Sequence, residues 1–289
     1  ANFSAQIVAD VVRDDGDEKT RALKLAASIN GHASELIITA AEFARMDWPI
    51  EQLGARANVM PNYKDHTRCA IQTISTAIDS MTSYCHTGWN QIEGKAIYLH
   101  AGGAIWGGGH VPNLHIDLDR RLQRFKLPEP PTNGHRKAAI RSLLEMLNVA
   151  PYAITLPVLA AAIRAALGQV RCSLFLSGQT GTGKSEIAAL AQQCYGPEMT
   201  AANLPASWDS TANALEAIAH RAKDTLLVVD DFVPKGGAAD LAKLNQTADR
   251  LLRAQGNASG RARMAADTSL KSPKVPRGLI LSTGEGLPR

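Results

Sequence analysis

Eight consecutive residues constrain this chain more than any others: Gly178-Gln179-Thr180-Gly181-Thr182-Gly183-Lys184-Ser185. The apolar run Cys172–Ser177 precedes them, and a helical pattern over Lys184–Tyr195 follows. Glycine tolerates backbone angles that other residues resist, so a turn of this kind lets successive N–H groups point inward. Those N–H groups and the positive N-terminus of the following helix make a cradle for phosphate. The spacing GxxxxGK[ST] adds a lysine that reaches the β- and γ-phosphates and a hydroxyl that ligates Mg²⁺. The expected nucleotide contacts are therefore Gly178, Gln179, Thr180, Gly181, Thr182, Gly183, Lys184, Ser185 and Glu186, with ATP and Mg²⁺ as cofactors. Lys184 is the expected catalytic cation.

A second constellation supports the first. Leu226-Leu227-Val228-Val229 reads as a buried strand, and it ends in Asp230-Asp231. A P-loop ATPase needs an acidic residue at the end of a neighbouring strand to hold hydrated magnesium, and Asp230 fits that role beside Ser185. Asp231 would orient or deprotonate the attacking water. A third strand, Gly278-Leu279-Ile280-Leu281, ends at Ser282-Thr283-Gly284-Glu285. In ATPases of the AAA+ type, the strand between the two central ones ends in a polar residue that senses the γ-phosphate. Thr283 is the candidate here, with Ser282 next to it.

Around these motifs, strands and helices alternate: helices over Ser210–Arg221 and Asp240–Gln255, and strands over Cys172–Ser177, Thr225–Asp230 and Gly278–Ser282. Alternation implies a parallel sheet covered by helices. The expected fold is α/β, a P-loop NTPase of the AAA+-like kind with helices on both faces of the sheet, over residues 132–289. Residues 1–127 read as a smaller mixed α+β domain. Phe3–Arg13 and Ala22–Ile29 are strand-like around the turn Asp14–Asp17. Glu35–Thr39 is a further strand, Asp65–Asp79 has helical periodicity, and Lys95–His100 and Ala104–Trp106 are strands. The prolines of Leu127-Pro128-Glu129-Pro130-Pro131 mark the boundary, since they disfavour helix and cannot donate to a sheet.

Composition narrows the alternatives. Hydrophobic residues at 45% and charged residues at 20% over 289 positions suit an ordinary globular protein of two domains. The four cysteines, Cys69, Cys85, Cys172 and Cys194, form no CxxC pair, which speaks against a zinc finger and fits a reducing interior. No basic and apolar leader opens the chain. The most apolar stretch, Ala153–Leu167, is interrupted by Arg164 and falls short of the ~20 residues a spanning helix needs, so it reads as a buried helix. The expected location is the cytoplasm, with no membrane partner. His86, His100, His110 and His115 match no common ligand spacing and are expected to be structural or surface histidines. Trp89 and Trp106 are expected core anchors, and no Ser-His-Asp order or catalytic cysteine context is present.

One stretch stands apart in charge. Between Arg250 and Arg277 lie Arg250, Arg253, Arg261, Arg263, Lys271, Lys274 and Arg277 against a single acid, Asp267, while the whole chain carries +4. Gly256, Gly260, Pro273 and Pro276 predict a loop or hairpin there rather than a helix. In ring-forming helicases an insertion just before this strand projects into the central channel and touches the DNA backbone, and that likeness implies phosphate contacts through Arg261, Arg263, Lys271 and Lys274. A solvated loop, or one touching a neighbouring subunit's nucleotide, is the other reading.

The P-loop, the run Leu204-Pro205-Ala206-Ser207-Trp208-Asp209-Ser210-Thr211-Ala212-Asn213-Ala214-Leu215-Glu216, the tripeptide Gln255-Gly256-Asn257 and the ending Leu281-Ser282-Thr283-Gly284-Glu285 together resemble the family called domain of unknown function 927. Tyr84-Cys85-His86-Thr87-Gly88-Trp89 and Tyr98-Leu99-His100 resemble its lead-in region. The resemblance implies a mobile-element or phage protein, often beside primase or other replication modules. It also implies a likeness to ring helicases, and hence a homo-oligomeric ring whose ATP sites are each built from two subunits. Two departures follow. Asp231 stands where many members have Glu, and the chain stops before the family's arginine-bearing strand and lid. The expectation is an excerpt of a longer protein that binds ATP and hydrolyses it poorly. The leading function is an ATP-driven, Mg-dependent motor on DNA. A nucleotide-gated switch and a small-molecule phosphotransferase are the alternatives.

Overall fold

The computed structural model describes residues 1–107, 109–129, 133–234, 236–264 and 270–288. The chain divides into two compact units, Ala1–Tyr84 and Cys85–Arg289. In the first, β1 (Ser4–Asp14) and β2 (Lys19–Ile29) form an antiparallel pair, with β3 (His32–Thr39) antiparallel on the far side of β2. The turn between β1 and β2 is closed by Asp14, whose carboxylate accepts from Gly16 N–H at 2.7 Å. Thr39 caps α1 (Ala40–Arg45) reciprocally with Glu42. After α2 (Trp48–Leu53) and α3 (Lys64–Ile74), β4 (Asp79–Tyr84) returns parallel to β1. Ile7, Leu25, Ile38, Phe43, Trp48 and Ile71 fill the core between sheet and helices.

Helical periodicity over Asp65–Asp79 predicts a longer α3 than the one observed. The helix stops at Ile74 because Ser75 takes over its end. The Ser75 hydroxyl donates to Ile71 O at 2.6 Å and accepts from Ile7 N–H at 2.7 Å. That N–H comes from the irregular point in β1, where the register with β2 shifts between Ile7 and Ala9. A tertiary hydrogen bond therefore outweighs the local pattern, and Ile74 and Ile78 remain exposed.

The second unit opens with an antiparallel meander, β5 (Gly88–Ile92), β6 (Lys95–His100), β7 (Gly103–Trp106) and β8 (Gly109–Val111), then the short β9 (His115–Ile116). α4 (Asn133–Glu145) and α5 (Tyr152–Ala165) follow. The main sheet is built from β10 (Ser173–Ser177), β11 (Ala206–Ser207), β12 (Leu226–Phe232) and β15 (Leu279–Gly284) in the order β10-β15-β12-β11, all parallel. Three helices alternate with them: α6 (Lys184–Gln192), α7 (Ala212–Arg221) and α8 (Ala238–Asn257). α5 and α6 pack on the sheet, and α7 packs on α8.

Leu226 to Val229 and Leu279 to Leu281 are buried throughout, as central parallel strands must be. β11 is too short to pair the whole edge of β12. The Gln192 side chain of α6 completes that edge, accepting from Val228 N–H at 2.7 Å and donating to Leu226 O. A buried glutamine thus serves as a substitute strand, satisfying backbone groups that would otherwise go unpaired.

The division at Tyr84 lies well upstream of the proline-rich stretch expected to mark it. Leu118, Leu122 and Phe125 are buried in the same core as Val158, Leu159 and Leu226–Val229, and Ala101 N–H donates to Phe125 O at 2.7 Å. These long-range contacts bind residues 85–127 to the sheet unit. Pro130 and Pro131 lie outside the described residues. The reading of Ala153–Leu167 as a buried helix needs correction too. Thr155, Val158, Leu159, Ala162 and Ala165 face the core, while Ile154, Leu156, Ile163 and Leu167 are exposed. Among the described residues no helix is long and apolar enough to cross a membrane.

Candidate active site

The loop from Gly178 to Ser185 joins β10 to α6 at the carboxyl ends of the parallel strands. Gly181 and Gly183 adopt φ of +80° and +79°, a left-handed conformation that costs residues with a Cβ. Gly183 is the N-cap of α6 and brings no side chain, so the first-turn N–H groups of Lys184, Ser185 and Glu186 have no capping side chain. The Lys184 ammonium folds over the loop, donating to Gly178 O and Gln179 O at 2.7 Å each.

Asp230 and Asp231 stand at the end of β12, two strands away. A regular strand sends successive side chains to opposite faces. Here Val229 pairs with Ser282 and Phe232 with Gly284, so Asp230 and Asp231 together oppose the single residue Thr283. This is a β-bulge, and Asp231 carries it with φ +68°. Gly284 makes the bulge possible, since a Cβ there would meet Phe232 O at 2.7 Å. Asp231 therefore lines the cleft, while Asp230 accepts from Ser185 Oγ at 2.7 Å.

Thr283 ties this together. Its buried hydroxyl donates to Asp230 Oδ1 and accepts from Asp231 N–H at 3.2 Å. Ser282 serves the opposite side of the strand. It accepts from the buried Trp208 indole at 2.6 Å and donates to Val229 O at 3.2 Å. The rings of Phe175 and Trp208 pack edge-on against Phe232, directly after the two acids. The resulting cleft, about 260 Å³, is lined by Thr180, Lys184, Ser185, Asp231, Thr283 and Glu285 among others.

Two of these contributors escape sequence reasoning. Trp208 was visible only as part of a run, with nothing to indicate that its indole braces β15. Glu285 follows the strand as an apparent turn residue. Its backbone is pinned to β12 by its own N–H to Phe232 O at 3.3 Å, and its carboxylate accepts from Thr180 Oγ1 of the phosphate loop.

The donor set suits a hard divalent cation that keeps most of its waters. Mg²⁺ is bound through one or two protein oxygens together with substrate phosphates. The Ser185 hydroxyl and the Asp230 carboxylate, already in contact, could serve as such a pair. Among the described residues no three His, Cys, Asp or Glu side chains gather to hold a metal.

The basic stretch is a mixture. The helix expected over Asp240–Gln255 is observed as α8, which runs on through Gly256 to Asn257, so Arg250 and Arg253 belong to it and not to the loop or hairpin expected from Arg250 onward. Arg250 pairs with the buried Glu216 and also donates to Asn213 Oδ1 at 3.0 Å, and Arg277 donates to His220 O at 2.6 Å. These two arginines belong to the framework. A hairpin does follow, with β13 (Arg263–Met264) antiparallel to β14 (Leu270–Lys271). Arg261 is exposed and Lys274 half-exposed at its base. The side chains of Arg263 and Lys271, and Asp267 altogether, lie outside the described residues. Met264 and Leu270 stand largely exposed on the hairpin.

The family described as Domain of unknown function (DUF927) matches residues 70–274. The chain belongs to the DUF927 family. The match covers the Gly178–Ser185 loop, the acidic strand and most of the basic stretch, and it ends before β15. No curated protein matches the chain. Among solved structures, this DUF927 chain is similar to one titled "SCCmec type IV Cch - active helicase", with a TM-score of 0.55 and 18% identity. The similarity extends over 98% of this chain and 50% of that one, so the chain spans half the length of the solved protein. The likeness is one of fold.

Proposed function

We propose that this DUF927 chain is the P-loop ATPase part of an AAA+-like motor that acts on DNA, a helicase-like replication protein of a mobile element or phage. The observation that carries the reading is the contact of Ser185 Oγ, in the first turn of α6, with Asp230 Oδ1 of β12 at 2.7 Å. It supports a reading in which the loop would hold phosphates and the adjacent carboxylate their cation. In this reading the N–H groups at the start of α6 and the Lys184 ammonium bind the β- and γ-phosphates of ATP. Lys184 exchanges its loop carbonyls for phosphate oxygens, a charge-assisted and stronger partner. Ser185 and Asp230 would hold Mg²⁺, which when bound would neutralise charge developing on the transferred phosphoryl group. Thr283 fixes both acids, and Asp231 orients the attacking water.

The helicase title belongs to the solved neighbour, and the shared fold supports extending it to this chain. The basic hairpin supports a DNA partner, with Arg261, Arg263, Lys271 and Lys274 on backbone phosphates. A homo-oligomeric ring, neighbouring primase modules and a cytoplasmic setting complete the proposal. The test is ATP hydrolysis with and without single-stranded DNA, for the chain and for Lys184→Ala. Magnesium-dependent turnover that rises with DNA and disappears in the variant is the expected result. Tight ATP binding with no turnover under any condition would replace the motor by a nucleotide-gated switch.

A further inference from the structure

Three polar side chains stand at the end of β15, and two of them are fully committed. Ser282 bridges the Trp208 indole and Val229 O, and Thr283 bridges Asp230 and the Asp231 N–H. Both are buried. Glu285 alone is exposed, lines the cleft and carries its carboxylate across to the phosphate loop, where Thr180 donates to it. Its backbone is held from both sides. The Glu285 N–H donates to Phe232 O of β12, and Ser177 Oγ of β10 donates to Glu285 O, both at 3.3 Å. The side chain is thus aimed from a fixed base between the two strands whose ends carry the loop and the acids.

We infer that Glu285 is a further catalytic residue of this cleft, the carboxylate that holds the attacking water and takes its proton. The assignment rests on the ATPase reading above and deepens it. A carboxylate only accepts hydrogen bonds, and so do phosphate oxygens. Glu285 therefore cannot bind the γ-phosphate directly; its partner must be a donor, which Thr180 is and a water is. Asp231 is shorter and rises from a left-handed bulge whose N–H is anchored on Thr283. Glu285 has one more methylene. In the step, the water oxygen bonds to the γ-phosphorus while the bond from that phosphorus to the β–γ bridging oxygen breaks. The water proton passes to a Glu285 carboxylate oxygen, and the bridging oxygen leaves as the terminal oxygen of ADP. Release of inorganic phosphate and return of the proton to solvent restore the carboxylate.

The test compares Glu285→Gln and Asp231→Asn with the parent chain, using single-turnover ATP hydrolysis and the affinity for ADP with two fluorides. Beryllium fluoride mimics bound γ-phosphate, whereas aluminium fluoride mimics the transferring group with its in-line water. Glu285→Gln should cut hydrolysis about 100-fold, the scale of a lost general base. It should leave Mg·ATP and beryllium fluoride affinity and the melting temperature unchanged, and weaken the aluminium fluoride complex by about tenfold or more. Asp231→Asn should cost less. Hydrolysis by Glu285→Gln within about threefold of the parent would overturn the assignment. So would a loss of ATP affinity in step with turnover, which would make Glu285 a brace for the loop. If the parent itself neither binds nor hydrolyses ATP, the nucleotide reading fails first and this assignment falls with it.

Discussion

Two polar clusters in the second unit make an instructive pair. One is the cleft at the ends of β10, β15 and β12. The other is a seam that ties β5 and β6 to the turn between α7 and β12. In the seam, Thr87 N–H donates to Arg221 O and Thr87 Oγ1 to Lys223 O, both at 2.9 Å. Asp224 accepts from Trp89 N–H at 2.9 Å, and Tyr98 OH donates to Asp224 O at 2.9 Å. Backbone groups of both segments are paired across it, and Thr87, Tyr98 and Asp224 are buried. The cleft is different. Asp231, Glu285, Glu186 and Lys184 line an open cleft, and Asp230 accepts from its Ser185. Matched and sealed polar groups hold a scaffold together, whereas an open, acceptor-rich cleft is prepared for a ligand that brings positive charge and donors. On the ATPase reading proposed above, Mg²⁺ and water would be such partners.

The sharpest way to break this contrast is to remove the single cation. Lys184→Ala should lower single-turnover hydrolysis by about 10²–10³, as expected for losing one preorganised charge partner of the transition state, with the melting temperature unchanged. Thr87→Val is the mirror experiment. It leaves Lys223 O without its buried donor and should destabilise by about 1–3 kcal/mol in denaturant unfolding, with turnover per folded molecule preserved. If Thr87→Val instead reduced turnover at full stability, the seam would be coupled to the chemistry.

The pH dependence of stability separates the two clusters more finely. Burial holds the Asp224 carboxyl above its ordinary value of 3.8, outweighing the opposing Lys223 and Arg277 charges and the Trp89 hydrogen bond. The folded chain then holds that proton more tightly than the unfolded one. The stabilisation is fully present below the ordinary value and is lost as pH rises through the folded value. His100 has the opposite sign. Burial, and next the charge of His110, lower it from 6.5, and its Nδ1 accepts from Gly102 N–H at 3.2 Å and Leu127 N–H at 3.1 Å. Its contribution is present above 6.5 and is lost as pH falls through the folded value. Melting temperature against pH should lose the first slope in Asp224→Asn and the second in His100→Gln, while Lys184→Ala keeps both.

The smallest effect belongs to the basic hairpin. Arg261→Ser and Lys274→Ser should each weaken binding of single-stranded DNA uniformly across sequences and reduce the salt slope by about one. Arg250→Ser should instead act on stability, because its partner Glu216 is buried. Identical salt slopes in parent and hairpin variants would remove this surface from the DNA interface.

The cleft was legible in sequence to the extent that its chemistry is local. The spacing of Gly178, Gly183, Lys184 and Ser185 is a property of one turn, and an apolar run ending in Asp230 needs no partner to be recognised. The bulge that turns Asp231 toward the cleft depends on pairing with Thr283, 52 residues away, and no local pattern encodes it. Glu285 reads as a turn residue until its neighbours Phe232 and Thr180 are in place. The same reason explains the displaced unit boundary: prolines are visible in a sequence, but burial of Leu122 and Phe125 against the sheet is not. It explains α3 as well, which ends at Ser75 because Ile7 in a distant strand needs an acceptor.

The most direct measurement of the central claim is calorimetric titration of ATP into the parent chain, with and without Mg²⁺, beside Lys184→Ala. One site per chain, tightened by magnesium and lost in the variant, is the result expected if the cleft binds nucleotide. Absence of binding to the parent, or equal binding to Lys184→Ala, would contradict it.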